Sequence, residues 1–245
     1  WDKTPRLAQT FFRRAEMLFP EHRHYHTARL EAEIASGSRQ KIEMQFKTQP
    51  LNPLYLEDLE LMVKLQEMYQ GKNHSKEMPT APPEEWTQSQ KSQWYFLKGY
   101  LAYREGENTH LALTDWGKAE KADPQSAGND IIRALRLKES HKSAWAKDLL
   151  LQAMRKNPEW WLPYQLLGES DYENKAWKNA AFYLDQAVRW NPLSKRSFLK
   201  LFEAQTQLKL NQEAQNTLAY ALAIYPDAPE LQTRYWQNLE QKPGF

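Results

Sequence analysis

In the second half of the chain, alanines and large apolar residues recur at helical spacing, and the pattern returns every 34 residues. Alanine pairs seven apart stand at Ala112 and Ala119, Ala146 and Ala153, Ala180 and Ala187, and Ala214 and Ala221. Between the members of each pair, four after the first, sits Trp116, Leu150, Leu184 or Leu218. Positions i, i+4 and i+7 share one face of an α-helix. Alanine on that face lets a neighbouring backbone come close, and the large residue between fills the gap. Five residues after the second alanine comes Pro124, Pro158, Pro192 or Pro226. A proline there follows the helix end, where its missing N–H costs little and the helix cannot continue. Asp123, Asn157 and Asn191 precede the first three prolines, as a turn favours. The spacing predicts helix pairs repeated at a fixed period, the mark of a stacked array.

These residues resemble tetratricopeptide repeats, 34-residue helix–turn–helix units. The match is closest over Trp161–Pro192, with Tyr164, Leu167, Gly168, Ala180, Leu184, Ala187 and Pro192 in family positions. The repeat ending at Pro124 carries Tyr95, Gly99, Ala112, Trp116 and Ala119, with one extra residue between its glycine and first alanine. The repeat ending at Pro226 has Phe202 where the family has its small glycine. The repeat ending at Pro158 departs most, its first helix around Asp130–Lys138 burying Ile131, Ile132 and Leu135 in a shifted register. The resemblance implies an all-α fold, a right-handed α-solenoid. It is clear over residues 91–240 and degenerate over 1–70.

In the first half, Ala8, Phe12, Ala15 and Pro20 repeat the same spacing, so the sequence reads as starting inside the second helix of a repeat. Trp1 in place of Met suggests a processed chain or an excised fragment. Tyr25, Ala28 and Ala32 predict a helix ending near Gly37, Ile42 and Phe46 a short one ending before Pro50, and residues 54–69 a third. Pro79, Pro82 and Pro83 then make a regular helix over 71–86 improbable, and that stretch reads as an extended or mobile loop. The expected division is 1–70 as degenerate repeats, 71–86 as a Pro-rich loop, 87–226 as four repeats, and 227–245 as a capping helix and tail. Leu231, Tyr235 and Leu239 would face inward on that cap.

Composition narrows the chemistry. The 33 Lys and Arg against 31 Asp and Glu leave a net charge of +2, and no segment is a basic arm, so nucleic acid is not the expected partner. No apolar run approaches the roughly 18–20 residues that span a bilayer. There is no cysteine, hence no disulfide, thiolate metal site or cysteine nucleophile. Ten tryptophans stud the chain. Trp116, Trp177, Phe182, Tyr183 and Trp190 read as packing between repeats, and Trp160–Trp161 as a packing pair with one ring open to solvent.

His22, His24 and His26 form the one dense histidine cluster. His22 and His26 stand one helical turn apart, but neither an HExxH motif nor a carboxylate triad accompanies them, and a solvated helix start after Pro20 is the reading preferred over a metal site. Glu169 and Glu173 are one turn apart with Asp171 on another face, which describes surface charge better than an acid–base pair. No GxSxG or SxxK context surrounds a serine. No catalytic residue, cofactor or metal ligand is therefore assigned.

In the family, the first helix of each repeat lines a groove that takes an extended peptide or a helix. By resemblance, the groove residues are Phe96, Tyr100, Tyr103 and Arg104, then Gln165, Glu169, Tyr172 and Glu173, then Arg196, Leu199 and Glu203. The expected function is that of a protein-binding adaptor or scaffold, not an enzyme. The alternative is one module of a larger bacterial membrane-associated protein in glycan assembly, secretion or cytochrome maturation. The absence of cysteine suits an oxidising, periplasmic setting slightly better than the cytoplasm.

Overall fold

The computed structural model describes residues 5–20, 22–35, 51–65, 78–105 and 109–240. Among these the regular elements are all helices: α1 Pro5–Leu18, α2 Arg23–Ala35, α3 Leu56–Leu65, α4 Gln88–Glu105, α5 Thr109–Ala122, α6 Ala127–Glu139, α7 Ser143–Lys156, α8 Trp161–Glu173, α9 Trp177–Trp190, α10 Lys195–Gln207, α11 Asn211–Ile224 and α12 Pro229–Glu240. The second helices α5, α7, α9 and α11 start 34 residues apart, as do the first helices α6, α8, α10 and α12. Each second helix ends two residues before its proline. This is an all-α fold of tetratricopeptide-like helical hairpins.

The alanine register explains the packing. Ala112, Ala119, Ala146, Ala153, Ala180, Ala187, Ala214 and Ala221 are buried, with Trp116, Leu150, Leu184 and Leu218 between them. Against Trp116 and Leu184 stands glycine on the preceding helix. A Cβ on Gly168 would lie 2.6 Å from Leu184 Cγ, and one on Gly99 2.6 Å from Trp116 Cδ1. The shared turn between first and second helix is a second periodic device. His141, Lys175 and Lys209 have φ of 58°, 58° and 60°, at the same 34-residue spacing. In each case the next N–H reaches back five residues: Lys142 to Leu137 O, Ala176 to Asp171 O and Leu210 to Gln205 O, at 2.8–2.9 Å. That left-handed residue with its six-to-one bond satisfies carbonyls the helix end leaves open.

The chain divides into two compact units, residues 46–163 and residues 1–45 with 164–245. In the first, α3 packs on α4, α4 on α5 and α6, and α6 on α7. Its core holds Leu59, Leu61, Trp94, Phe96, Leu97, Tyr100, Leu101, Ile131 and Ile132. Residues 78–87 are irregular, as the prolines dictate, yet they are packed. Met78 and Pro82 are buried, and Lys98 and Lys91 donate to Pro79 O at 2.9 Å and Glu84 O at 2.8 Å. A capping box then starts α4: Gln90 N–H meets Thr87 Oγ1 at 3.3 Å, and Thr87 N–H meets Gln90 Oε1 at 3.0 Å. In the second unit α1 packs on α2, α2 also touches α11, and α9 to α12 stack in sequence.

Several expectations change. The first helix of the departing repeat, α6, keeps the common backbone register, and its Ile131, Ile132 and Leu135 are buried within it. Trp160 and Trp161 are both buried, so neither ring is open. Phe182 and Trp190 are exposed instead of packing between repeats, because their positions on α9 turn away from both neighbours. The third helix starts at Leu56 and runs Leu56–Leu65 among the described residues; residues 66–69 of the expected 54–69 lie outside them. Leu231 of α12 is buried and Tyr235 half-buried. The helix expected around Ile42 and Phe46, and residues 71–77 of the expected loop, lie outside the described residues.

Candidate functional site

Helical spacing alone brings one set of predicted residues to a common face. On α8, Gln165, Glu169, Tyr172 and Glu173 follow i, i+4, i+7 and i+8; on α10, Arg196, Leu199, Lys200 and Glu203 follow i, i+3, i+4 and i+7. On α12, Glu230 and Arg234 are one turn apart. All belong to the unit containing residues 164–245.

The three helices are joined there by a ladder of polar contacts. Gln165 Nε2 donates to Glu169 Oε1 at 3.1 Å, and Arg196 Nε lies 3.1 Å from the same carboxylate oxygen. Lys200 Nζ stands 3.9 Å from both Glu169 and Glu173 and 5.2 Å from the centre of the Tyr172 ring. An ammonium over a tyrosine face is attracted by the ring quadrupole. The Tyr172 hydroxyl donates to Glu203. Arg234 bridges Glu203 and Glu230, at 2.9 Å to each. Trp177 meets the edge of Tyr172, with ring centres 5.5 Å apart. The hydrogen bond to Glu203, then burial, then the Glu203 charge push the Tyr172 hydroxyl up to about 12, while Arg234 opposes the shift. Phenolate beside a carboxylate is what these contacts disfavour.

Burial sorts the ladder. Gln165 and Glu169 are buried, so Glu169 is no surface charge: it sits among Gln165, Arg196 and Lys200. Tyr172, Leu199, Lys200, Glu203 and Arg234 are half-buried, and Glu173 and Arg196 are exposed. Lys200 and Arg234 escaped the sequence reading. Their signal was available, since they hold one repeat position 34 residues apart.

No family model matches this chain, and no curated protein matches it. Among solved structures it is similar to the TPR2AB-domain:pHSP90 complex of yeast Sti1, at 15% identity and a TM-score of 0.42, over 97% of this chain and 98% of that one.

The remaining predicted groove residues lie in the unit of residues 46–163. Phe96 and Tyr100 are buried, a correction to the expectation that they face a ligand. Their rings stack at 5.9 Å, Trp160 meets Phe96 edge-on at 5.2 Å, and a Cβ on Gly128 would lie 2.9 Å from Phe96 Cγ. They fill the space that glycine opens between α4 and α6. Tyr103 and Arg104 are half-buried. Burial first, then Glu139 by charge and hydrogen bond, push the Tyr103 hydroxyl above the usual tyrosine value, while Arg104 pulls it down.

The histidine cluster does something other than start a solvated helix. His22 and His24 are exposed, but His26 is buried, its Nδ1 2.6 Å from Glu16 Oε1. Arg29 donates to Glu16 Oε2 at 2.6 Å and to Glu33 Oε1 at 2.8 Å, and Gln9 donates to Glu33 at 3.2 Å. Burial raises the Glu16 carboxyl, but hydrogen bonds from His26 and Arg29 with their charges outweigh it, leaving the group below its ordinary value. These contacts tie α1 to α2. Among the described residues no three His, Asp or Glu side chains gather where a metal could sit, and no helix is long and apolar enough to cross a membrane.

Proposed function

We propose that this chain is a protein-binding module, not an enzyme, and that it takes a partner segment along the face shared by α8, α10 and α12. One observation carries the reading. Three successive first helices present Tyr172, Leu199 and charges of both signs as one connected surface, with Glu173 and Arg196 still reaching solvent. Such a face offers an aromatic anchor with a polar rim, the pattern by which few residues carry most of a binding energy. The Tyr172 hydroxyl does meet a carboxylate there, but its pKa is pushed up to about 12, away from the phenolate that a nucleophile would need. The fitting partner is a peptide or helix with one apolar or aromatic side chain flanked by both charge signs.

A photo-crosslinking residue at Leu199 should capture a partner that the same residue at Lys178, exposed on α9, does not. Tyr172→Ala should weaken binding of that partner by about 1–3 kcal/mol, with helicity unchanged. Tyr172→Phe, which keeps the ring and loses the hydroxyl, should weaken it less. Equal capture from position 178 would place the contact elsewhere and sink the reading.

A further inference from the structure

The third residue of each second helix faces solvent in this fold. On α9 and α11 it is polar, Asn179 and Glu213, and both are exposed. The 34-residue register puts Trp145 at that place on α7 and Leu111 on α5. Trp145 is 70% exposed and Leu111 41%. Packing between repeats therefore does not call for an apolar side chain there. A tryptophan near a helix start can serve the fold, as Trp177 does by meeting Tyr172 edge-on at 5.5 Å. Trp145 instead keeps most of its ring in solvent.

That ring stands on a corner. Residues 138–145 are all exposed, from the last turn of α6 through the left-handed His141 into the first turn of α7. Lys138, His141 and Lys142 share the corner with Trp145. Its one carboxylate, Glu139, hydrogen-bonds the Tyr103 hydroxyl of α4, and the next, Asp148, stands one turn further along α7. A large exposed ring is thus joined to an excess of positive charge. Tryptophan rings settle at the level of lipid headgroups, and lysines beside them are drawn to an anionic surface. A protruding corner presents these side chains outward, which suits a flat bilayer better than a peptide that needs a groove.

We propose that the α6–α7 corner is a contact site for an anionic lipid surface, with the Trp145 ring entering the headgroup layer and Lys138 and Lys142 against the lipid phosphates. The contact is peripheral and reversible, since stable anchoring takes an acyl chain with a second signal. It is separate from the face of α8, α10 and α12 and stands if that reading fails.

The probe is a set of vesicles of phosphatidylglycerol and phosphatidylcholine in equal parts, against phosphatidylcholine alone. Co-sedimentation of the whole chain should rise with the anionic vesicles, stay near background with the neutral ones and fall in high salt. Trp145→Ser and Lys142→Glu alter exposed side chains, so circular dichroism should be unchanged. Each should lower the partition coefficient at least about fivefold. Lys178→Glu makes the same charge change on exposed α9 surface, and Phe182→Ser removes an exposed ring there. Both should stay near the wild-type value. Absence of binding to the anionic vesicles, binding that survives Trp145→Ser, or an equal loss from Lys178→Glu overturns the proposal. So does a Trp145→Ser change that abolishes capture of a polyglutamate peptide, or self-association of the chain, and leaves vesicle binding intact, since the corner would then belong to that occupant.

Discussion

Two glycines in helices show how far a single side chain's effect depends on its neighbour. At Gly168 an added Cβ would lie 2.6 Å from Leu184 Cγ and 3.0 Å from Leu184 N, and Leu184 is fully buried, so nothing there can give. At Gly117 nothing lies within 4 Å of the added atom. Gly168→Ala should therefore destabilise by about 1–3 kcal/mol through overpacking. Gly117→Ala, which only removes backbone freedom from the unfolded chain, should stabilise by about 0.5–1 kcal/mol. Urea midpoints at constant slope read both. A stabilised Gly168→Ala would mean that the α8–α9 crossing is wider than described. The role of Gly168 was legible from its place beside Leu167 in the best-matched repeat. The burial of Phe96 and Tyr100 was not, because it depends on Gly128, a residue of another helix that no local pattern ties to them.

At the scale of elements, helix ends were more readable than helix faces. Each proline and each alanine pair acts locally, so second helices fell where the spacing put them. Which residues of a helix face solvent depends on what packs across it. Phe182, expected inside, is exposed, and Glu169, expected outside, is buried beside Arg196. Among the described residues the turns between paired helices carry no glycine signal at the left-handed positions, which hold His141, Lys175 and Lys209. A side chain there costs roughly 1–2 kcal/mol against the right-handed conformation. Glycine removes that strain but adds about 0.4–1 kcal/mol of unfolded-state entropy. Lys175→Gly with Lys209→Gly should then be neutral to stabilising, and Lys175→Val destabilising by about 1–2 kcal/mol. Thermal midpoints decide it, and a valine variant as stable as the glycine variant would remove the strain argument.

For the larger unit as a whole, two of the shifted groups, Glu16 and Tyr172, bound stability on opposite sides of neutrality. Glu16 has its carboxyl below the ordinary value of 4.5 when folded. A depressed acid contributes stability that is present above its unfolded value and lost as pH falls through the folded one. The contribution joins α1 to α2, so acid should loosen that hairpin, and Glu16→Gln should blunt the effect. Tyr172 is the opposite case, raised from 10.0 to about 12. Its contribution is complete below pH 10 and is lost as pH climbs toward 12, where phenolate would face Glu203 across the α8–α10 contact. Tyr172→Phe should abolish that alkaline loss, and difference absorbance of phenolate between wild type and variant should show a midpoint near 12. Hydrogen exchange separates the two ends, because acid should first expose amides in residues 8–34 and alkali those near 172 and 203. If acid loosened the α8–α10 contact first, the ion pairs at Glu169 and Glu203 would outweigh those at Glu16. The ladder on the candidate face, not the α1–α2 network, would then set the acid limit of the fold.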